Sequence, residues 1–296
     1  MIMLIDESRA VPRASSQQAA TPTLGFRDVL ALVTSSGPWS PALLAAVEIA
    51  SRWNADLTAC YVPVDLREQR PAESAPAIAE PPGESEYERP DESLAFAQFA
   101  LERGVAHASW AVTRTPIAPT LRHLGAWHDL AVIERDIVDA AHIFDVLAEG
   151  LLSARLPCIL LPPRWSGSLA FDRIVIGWNG SFESTRALRS ALPLLRLARQ
   201  VVLVNGELRT PDEHSTGVAE PDPFAYLVRH GVAAKLHHIQ VPPDEAGLAL
   251  LRHAHVLRAD LLVMGAYGRS RIRERLLGGA TRHVMANADM PVFMQH

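Results

Sequence analysis

The chain repeats itself. "FRDVLALVTSSGPWSP" from Phe26 lies over "FDRIVIGWNGSFESTR" from Phe171 without a gap, and the same register carries Ala55-Asp56-Leu57-Thr58-Ala59 onto Gln200-Val201-Val202-Leu203-Val204. Further on, "DLAVIE" at Asp129 answers "DLLVMG" at Asp260, and "LPCILLP" at Leu156 answers "MPVFMQ" at Met290. Two copies of one domain constrain the fold more than any composition does, because an architecture that suits one copy must suit both. The copies are expected at 24–162 and 171–296, with "PPRWSGSLA" at 162–170 as the link.

Within each copy, short runs rich in Val, Ile and Leu alternate with longer amphipathic stretches. Parallel strands covered by helices on both faces have this pattern. In the second copy the spacing predicts strands near 173–178, 201–205, 234–241, 260–265 and 291–294, and helices near 183–198, 222–230, 245–258 and 271–287. The fold class that follows is α/β: two tandem doubly wound parallel five-stranded sheets, Rossmann-like. The outer apolar strand "PVFM" is the natural contact between them.

Composition excludes several classes. Hydrophobic residues make up 48% of the 296, enough for two cores. No apolar run approaches the roughly 18 residues of a membrane span. The opening "MIMLIDESRAVPR" lacks the basic-then-apolar order of an export signal, so a cytoplasmic address without membrane association is expected. Cys60 and Cys158 lie in apolar strand-like runs, as reduced core residues rather than a disulfide or zinc site. The net charge of −5 is concentrated in Pro63–Glu92, with nine acidic against three basic residues. No compact basic stripe remains for nucleic acid. The Pro-, Ala- and Glu-rich part of that segment, 71–92, is expected to be a loop.

The functional signal is "GAYGRSRIRERLLGG", Gly265 to Gly279, directly after an apolar run. In open parallel sheets ligands bind beyond the carboxyl ends of the strands. Gly265 and Gly268 form a tight turn with outward N–H groups there, and a helix starting near Gly278 offers unpaired N–H groups and a positive dipole end to phosphate. Strand one ends in "GWNGS", where Gly177 removes bulk and Asn179 both donates and accepts. Strand two ends at Val204-Asn205.

A glycine, two residues, a glycine, nine residues and a glycine: this spacing of Gly265, Gly268 and Gly278 resembles the signature of the universal stress protein family, as does the βα layout opening on "FDRIVIGWNGS". The likeness extends to both copies, as in tandem members, and implies that the halves are packed about a pseudo-twofold axis, much as two separate members pair. It implies a sheet of the adenine nucleotide alpha hydrolase-like kind and a site for an adenine nucleotide, ATP first, with Mg2+ as accompanying ion. By motif position the site would comprise Gly177, Asn179, Val204, Met264, Gly265, Gly268, Arg269, Gly278, Gly279 and Thr281. Two departures stand out. Asn179 occupies a position usually acidic, and Gly279 one usually Ser or Thr, for which Thr281 is the substitute hydroxyl. The first copy is degenerate, since Glu134, Arg135 and Asp136 replace the open glycine turn and Glu134 would repel phosphate.

Other candidates have plainer readings. Arg269, Arg271, Arg273 and Arg275, spaced by two, do not share a helical face, and Arg269 alone is expected to reach a ligand. His237, His238, His253 and His255 are expected at the surface or partly buried, with no metal. Ser181 is a helix N-cap, there being no nucleophile-elbow pattern. No catalytic residues are assigned. The expected function is a non-enzymatic stress-response regulator that binds an adenine nucleotide through its second copy. The alternatives are a nucleotide-independent protein–protein interaction module and a slow ATP hydrolase. A homodimer and an unidentified protein partner are the further associations considered.

Overall fold

The computed structural model describes residues 25–67, 90–138, 143–205, 222–239, 241–242, 244–266 and 279–296. The first half runs β1 (Asp28–Val33), α1 (Pro41–Trp53), β2 (Asp56–Tyr61), α2 (Val64–Arg67), α3 (Pro90–Glu102), β3 (Ala108–Val112), α4 (Ile117–Leu124), β4 (Leu130–Glu134), a 3-10 turn (Arg135–Ile137), α5 (Ile143–Ala154) and β5 (Cys158–Leu161). The second half runs β6 (Arg173–Trp178), α6 (Phe182–Ser190), α7 (Leu192–Leu195), β7 (Gln200–Asn205), α8 (Pro223–Arg229), β8 (Ala234–His238), α9 (Ala246–Val256), β9 (Leu261–Gly265), α10 (Gly279–Asn287) and β10 (Val292–Gln295).

Each half is a parallel sheet of order 3-2-1-4-5, and the two run on into one ten-stranded sheet, β3-β2-β1-β4-β5-β10-β9-β6-β7-β8. Among the described strands, only the central pairing, β5 with β10, is antiparallel. There Ile159 pairs with Phe293, flanked by Cys158 with Met294 and Leu160 with Val292. These are the repeat-equivalent residues, exchanged across a pseudo-twofold axis at the Ile159–Phe293 pair. Both side chains are fully buried. Each contributes about 1.5–3 kcal/mol by removing apolar surface from water. The predicted contact through "PVFM" is therefore the seam of the molecule.

Two apolar layers cover the sheet. One gathers Val29, Ala31 and Val33 of β1 with α1 and α3, and continues through α6, α7 and α8. The other gathers Leu30, Leu32 and Cys60 with α4, α5, α9 and α10. Alternate residues of each strand serve alternate faces. Cys60 and Cys158 are free and buried, as expected. Burial pushes the Cys60 thiol up to about 12, against a smaller lowering from the Thr113 backbone, and raises Cys158 as well. Both stay protonated and unreactive at neutral pH. Among the described residues, no helix is long and apolar enough to cross a membrane.

The expected elements of the second half are present, except that 271–278 of the helix expected over 271–287 lie outside the described residues, and one expectation in each half changes. The single helix predicted over 183–198 is split after Ser190, because Pro193 has no N–H to donate into the turn before it and instead opens α7 at its second position. The loop expected over 71–92 gives way to helix at its end: Pro90, Asp91 and Glu92 form the first turn of α3. Proline suits that position and the carboxylates suit the helix dipole.

The gapless register of the repeat also breaks. Seven residues, 34–40, join β1 to α1, against three, 179–181, between β6 and α6. The sheet register then aligns Asp56 with Gln200, one place from the sequence alignment, since Asp28 pairs with Asp56 and Arg173 with Gln200. The longer connection carries Trp39 into an aromatic cluster with Phe96, Phe99 and Trp110, and Tyr61 stacks on Trp110.

Candidate functional site

Three predicted site residues stand in one row across the carboxyl ends of the second sheet: Gly177 of β6 pairs with Val204 of β7 on one side and with Met264 of β9 on the other. In-register neighbours point to one face. Val204 and Met264 are buried there among the residues of α9 and α10. Gly177 serves the same packing. A Cβ added to it would lie 2.7 Å from Cδ2 of Leu250 on α9. The space that glycine opens is therefore filled by Leu250, and this row can offer a ligand its backbone edge rather than its side chains.

Gly265, the next residue of β9, faces the opposite layer. A Cβ on it would lie 2.5 Å from the Ser184 backbone nitrogen and 2.6 Å from the Glu183 carbonyl carbon. The start of α6 thus lies directly against the strand end, an approach only glycine permits. Ala266 then donates its N–H to the Gln295 carbonyl at 2.8 Å, and its own carbonyl lies 3.0 Å from His296 Nδ1. These contacts pin the exit of β9 to β10. Gly268, Arg269 and Gly278 lie outside the described residues, as do Arg271, Arg273 and Arg275.

The described part of the helix beyond the signature, α10, runs from Gly279, which is exposed and has nothing within 4 Å of where a Cβ would be. Thr281, two residues in, is buried at 5% exposure. Asn179 occupies the short β6–α6 connection, and its Oδ1 accepts the Ser181 N–H at 3.1 Å. Ser181 caps α6 as expected, its Oγ accepting the Ser184 N–H at 3.1 Å. The structure thus brings Gly177, Val204, Met264 and Gly265 together at the strand ends. Gly279 and Thr281 sit on α10, which packs on α9: a Cβ on Gly247 of α9 would come within 2.9 Å of the Ala280 backbone.

A carboxylate stands at the start of the first helix in both halves, supplied from different places. In the first half Glu134, aligned with Gly265, ends β4 and sends Oε1 to accept the Ala42 N–H at 3.0 Å, while Oε2 accepts from Thr34 Oγ1 at 3.2 Å. Ser40, the N-cap by position, makes no side-chain cap bond. In the second half the strand has Gly265, and Glu183, at the helical position of Ala42, carries the acid itself. Glu183 is buried, with Oε2 lacking any hydrogen-bond partner.

The neighbour of Glu134 works across the seam. Arg135 Nη1 donates to the Ala288 carbonyl just beyond α10 at 2.6 Å. A cation at a helix carboxyl end meets the negative dipole end and an unpaired carbonyl together. Burial lowers the Arg135 pKa, and the charges of Asp136 and Asp289 oppose that. The first copy's replacement for the glycine turn is therefore a clasp with two arms, one on α1 and one on the second half. Sequence reasoning saw Glu134 and Arg135 only as obstacles to phosphate, because their partners lie 92 and 153 residues away.

The histidines pair in a way no motif announced. His237 Nδ1 of β8 lies 2.8 Å from His253 Nε2 of α9, and His255 Nε2 lies 3.2 Å from Asp289 Oδ1. Among the described residues no three His, Cys, Asp or Glu side chains form a group that could hold a metal ion.

A family model described as the universal stress protein family matches residues 170–296. The second half is a universal stress protein domain. The whole chain is similar in fold to a functionally unknown protein of Pseudomonas aeruginosa PAO1, at TM-score 0.63 and 14% identity over 93% of this chain and 94% of that one. It is similar also to a universal stress protein of Archaeoglobus fulgidus, at TM-score 0.55 and 12% identity over 90% and 95%. The likeness in fold thus covers both halves of the chain. Among curated proteins it is 21% identical over 160 residues to stress response protein NhaX of Bacillus subtilis, covering 42% of this chain and 96% of that protein.

Proposed function

We propose that this tandem universal stress protein is a regulatory protein whose second half binds an adenine nucleotide, ATP first, through the strand ends at Gly177, Val204 and Met264 and the glycine signature at Gly265, Gly268, Gly278 and Gly279. The observation that carries the reading is the approach of α6 to Gly265, which leaves the end of β9 bare of side chain at the carboxyl edge of the sheet. Backbone N–H groups in such a place suit phosphate. Arg269 and Thr281 are the proposed side-chain contacts and Asn179 the polar group nearest strand one. Mg2+ would accompany the triphosphate.

The first half does not take nucleotide in this reading. Its counterpart of Gly265 is Glu134, whose carboxylate is committed to Thr34 and Ala42, and Trp39 of the added connection packs against Trp110 of β3. A nucleotide-independent interaction module is the second reading. Leu250 filling the space beside Gly177 and the Asn179–Ser181 turn favour it.

A thermal-shift titration of the full chain with ATP and magnesium, with AMP and GTP for comparison, separates the two. Stabilisation should grow with ligand excess over Kd, reaching about 2.7 kcal/mol at a hundredfold excess. It should vanish in Gly268→Trp. Absence of any shift at millimolar ATP leaves the interaction module. Slow hydrolysis requires phosphate release above background that the same substitution removes.

A further inference from the structure

We propose that the cleft over the seam between the two halves is a binding site for a small organic carboxylate, held by Arg135 and Arg164 beside the Trp165 indole. The cleft encloses about 410 Å³. That lies within the usual range of small-molecule sites. Its walls come from three separate places: Arg135 after β4, the linker Pro162–Gly167, and Asn287–Asp289 beyond α10. No single stretch of sequence could have announced it.

Four features point to an anion with a flat head. Arg135 has five N–H donors, and its bond to Ala288 takes one from Nη1 while fixing the plane of the guanidinium. Arg164 is held at φ +57°, a left-handed conformation that an arginine rarely adopts, in a turn closed by the Trp165 N–H on the Pro162 carbonyl at 3.2 Å. The linker sets its rim residue in a strained conformation, which is common where a ligand is held. Trp165 is half-buried and lines the same cleft, where its ring offers an aromatic surface to a flat head. Gly167 lets the linker lie on that ring, since a Cβ there would come 2.8 Å from Trp165 Cζ2.

Charge selects the ligand class. Two guanidinium groups line the cleft with one carboxylate, Asp289, which also lies 3.2 Å from His255 Nε2, while Asp136, the other acid acting on Arg135, stands outside the lining. The surplus suits a monoanion. A planar carboxylate matches the fork of an arginine, and Pro162 and Pro163 offer apolar surface to a short organic body. Occupancy would bridge the halves at the point where Arg135 already joins them. None of these residues belongs to the nucleotide site proposed above, so the two readings stand or fall separately.

The test follows the indole resonances of full-length protein with isotope-labelled tryptophan, with Trp165→Phe to assign the one concerned. Benzoate and butyrate are titrated at neutral pH, and benzamide serves as the uncharged control. The expected result is saturable movement of the Trp165 resonance with at least one carboxylate, none with benzamide, and affinity weakened about tenfold or more in Arg164→Ala. Arg164 is exposed, so its removal leaves the fold intact. No saturable movement with either carboxylate at tens of millimolar, equal movement with benzamide, or unchanged affinity in Arg164→Ala overturns the proposal.

Discussion

Ile159 and Phe293 occupy the same position in the two copies of the repeat and pair with each other at the centre of the ten-stranded sheet. A residue facing its own equivalent marks a local twofold axis. The two halves therefore meet as two separate copies of a subunit would in an isologous contact.

Truncation at that axis is felt by both halves. Phe293→Ala is expected to cost about 3–5 kcal/mol and Ile159→Ala about 2–5 kcal/mol, from lost burial and the cavity left behind. Because the side chains are neighbours, the double variant should depart from additivity by about 0.5 kcal/mol or more. Denaturant unfolding of the four proteins measures this, and strict additivity would show that the pair does not share a cavity.

Glu134→Ala should leave the buried Ala42 N–H without its acceptor, at a cost of about 1–3 kcal/mol. Glu134→Gln keeps an acceptor oxygen and should lose less. Hydrogen exchange at the Ala42 amide should rise in Glu134→Ala. The ATP response proposed for the second half should be the same in both variants.

Gly265→Ala places its Cβ against the α6 backbone, which cannot turn aside as a flexible side chain would. Overpacking of this kind costs about 1–3 kcal/mol. The midpoint of thermal unfolding should therefore fall even without nucleotide. Gly279→Ala, with open space around it, should leave the midpoint of the free protein unchanged or raise it. An unaltered Gly265→Ala protein would disprove the close approach of α6 to β9.

The His237–His253 contact makes part of the stability pH-dependent. Burial, then the charge of His237, lowers the His253 pKa from 6.5. The unfolded chain therefore binds its proton at a higher pH than the folded one. The contribution is complete above 6.5 and declines as pH falls through and below that value toward the folded pKa. Urea unfolding across this range should show a smaller acid loss for His253→Phe than for the parent protein. Equal losses would remove the pair as a source of the dependence.

The sequence by itself determined the strands, their parallel order and the doubling of the domain, because these rest on apolar periodicity and on a repeat that persists through both copies. It also placed Gly177, Val204, Met264 and Gly265 together at the strand ends of one sheet, since a glycine after a buried strand has a local meaning. It missed what depends on contacts between distant segments. Leu250 entering the space at Gly177, Glu134 capping α1, Arg135 reaching Ala288 and the linker folding Trp165 into a cleft are all such contacts. A four-residue difference in one connection moved Trp39 into the first half's aromatic cluster and broke the gapless alignment. Local propensity carries no information about which side chain another element will bring alongside. That was decided only when the sheet closed at Ile159 and Phe293.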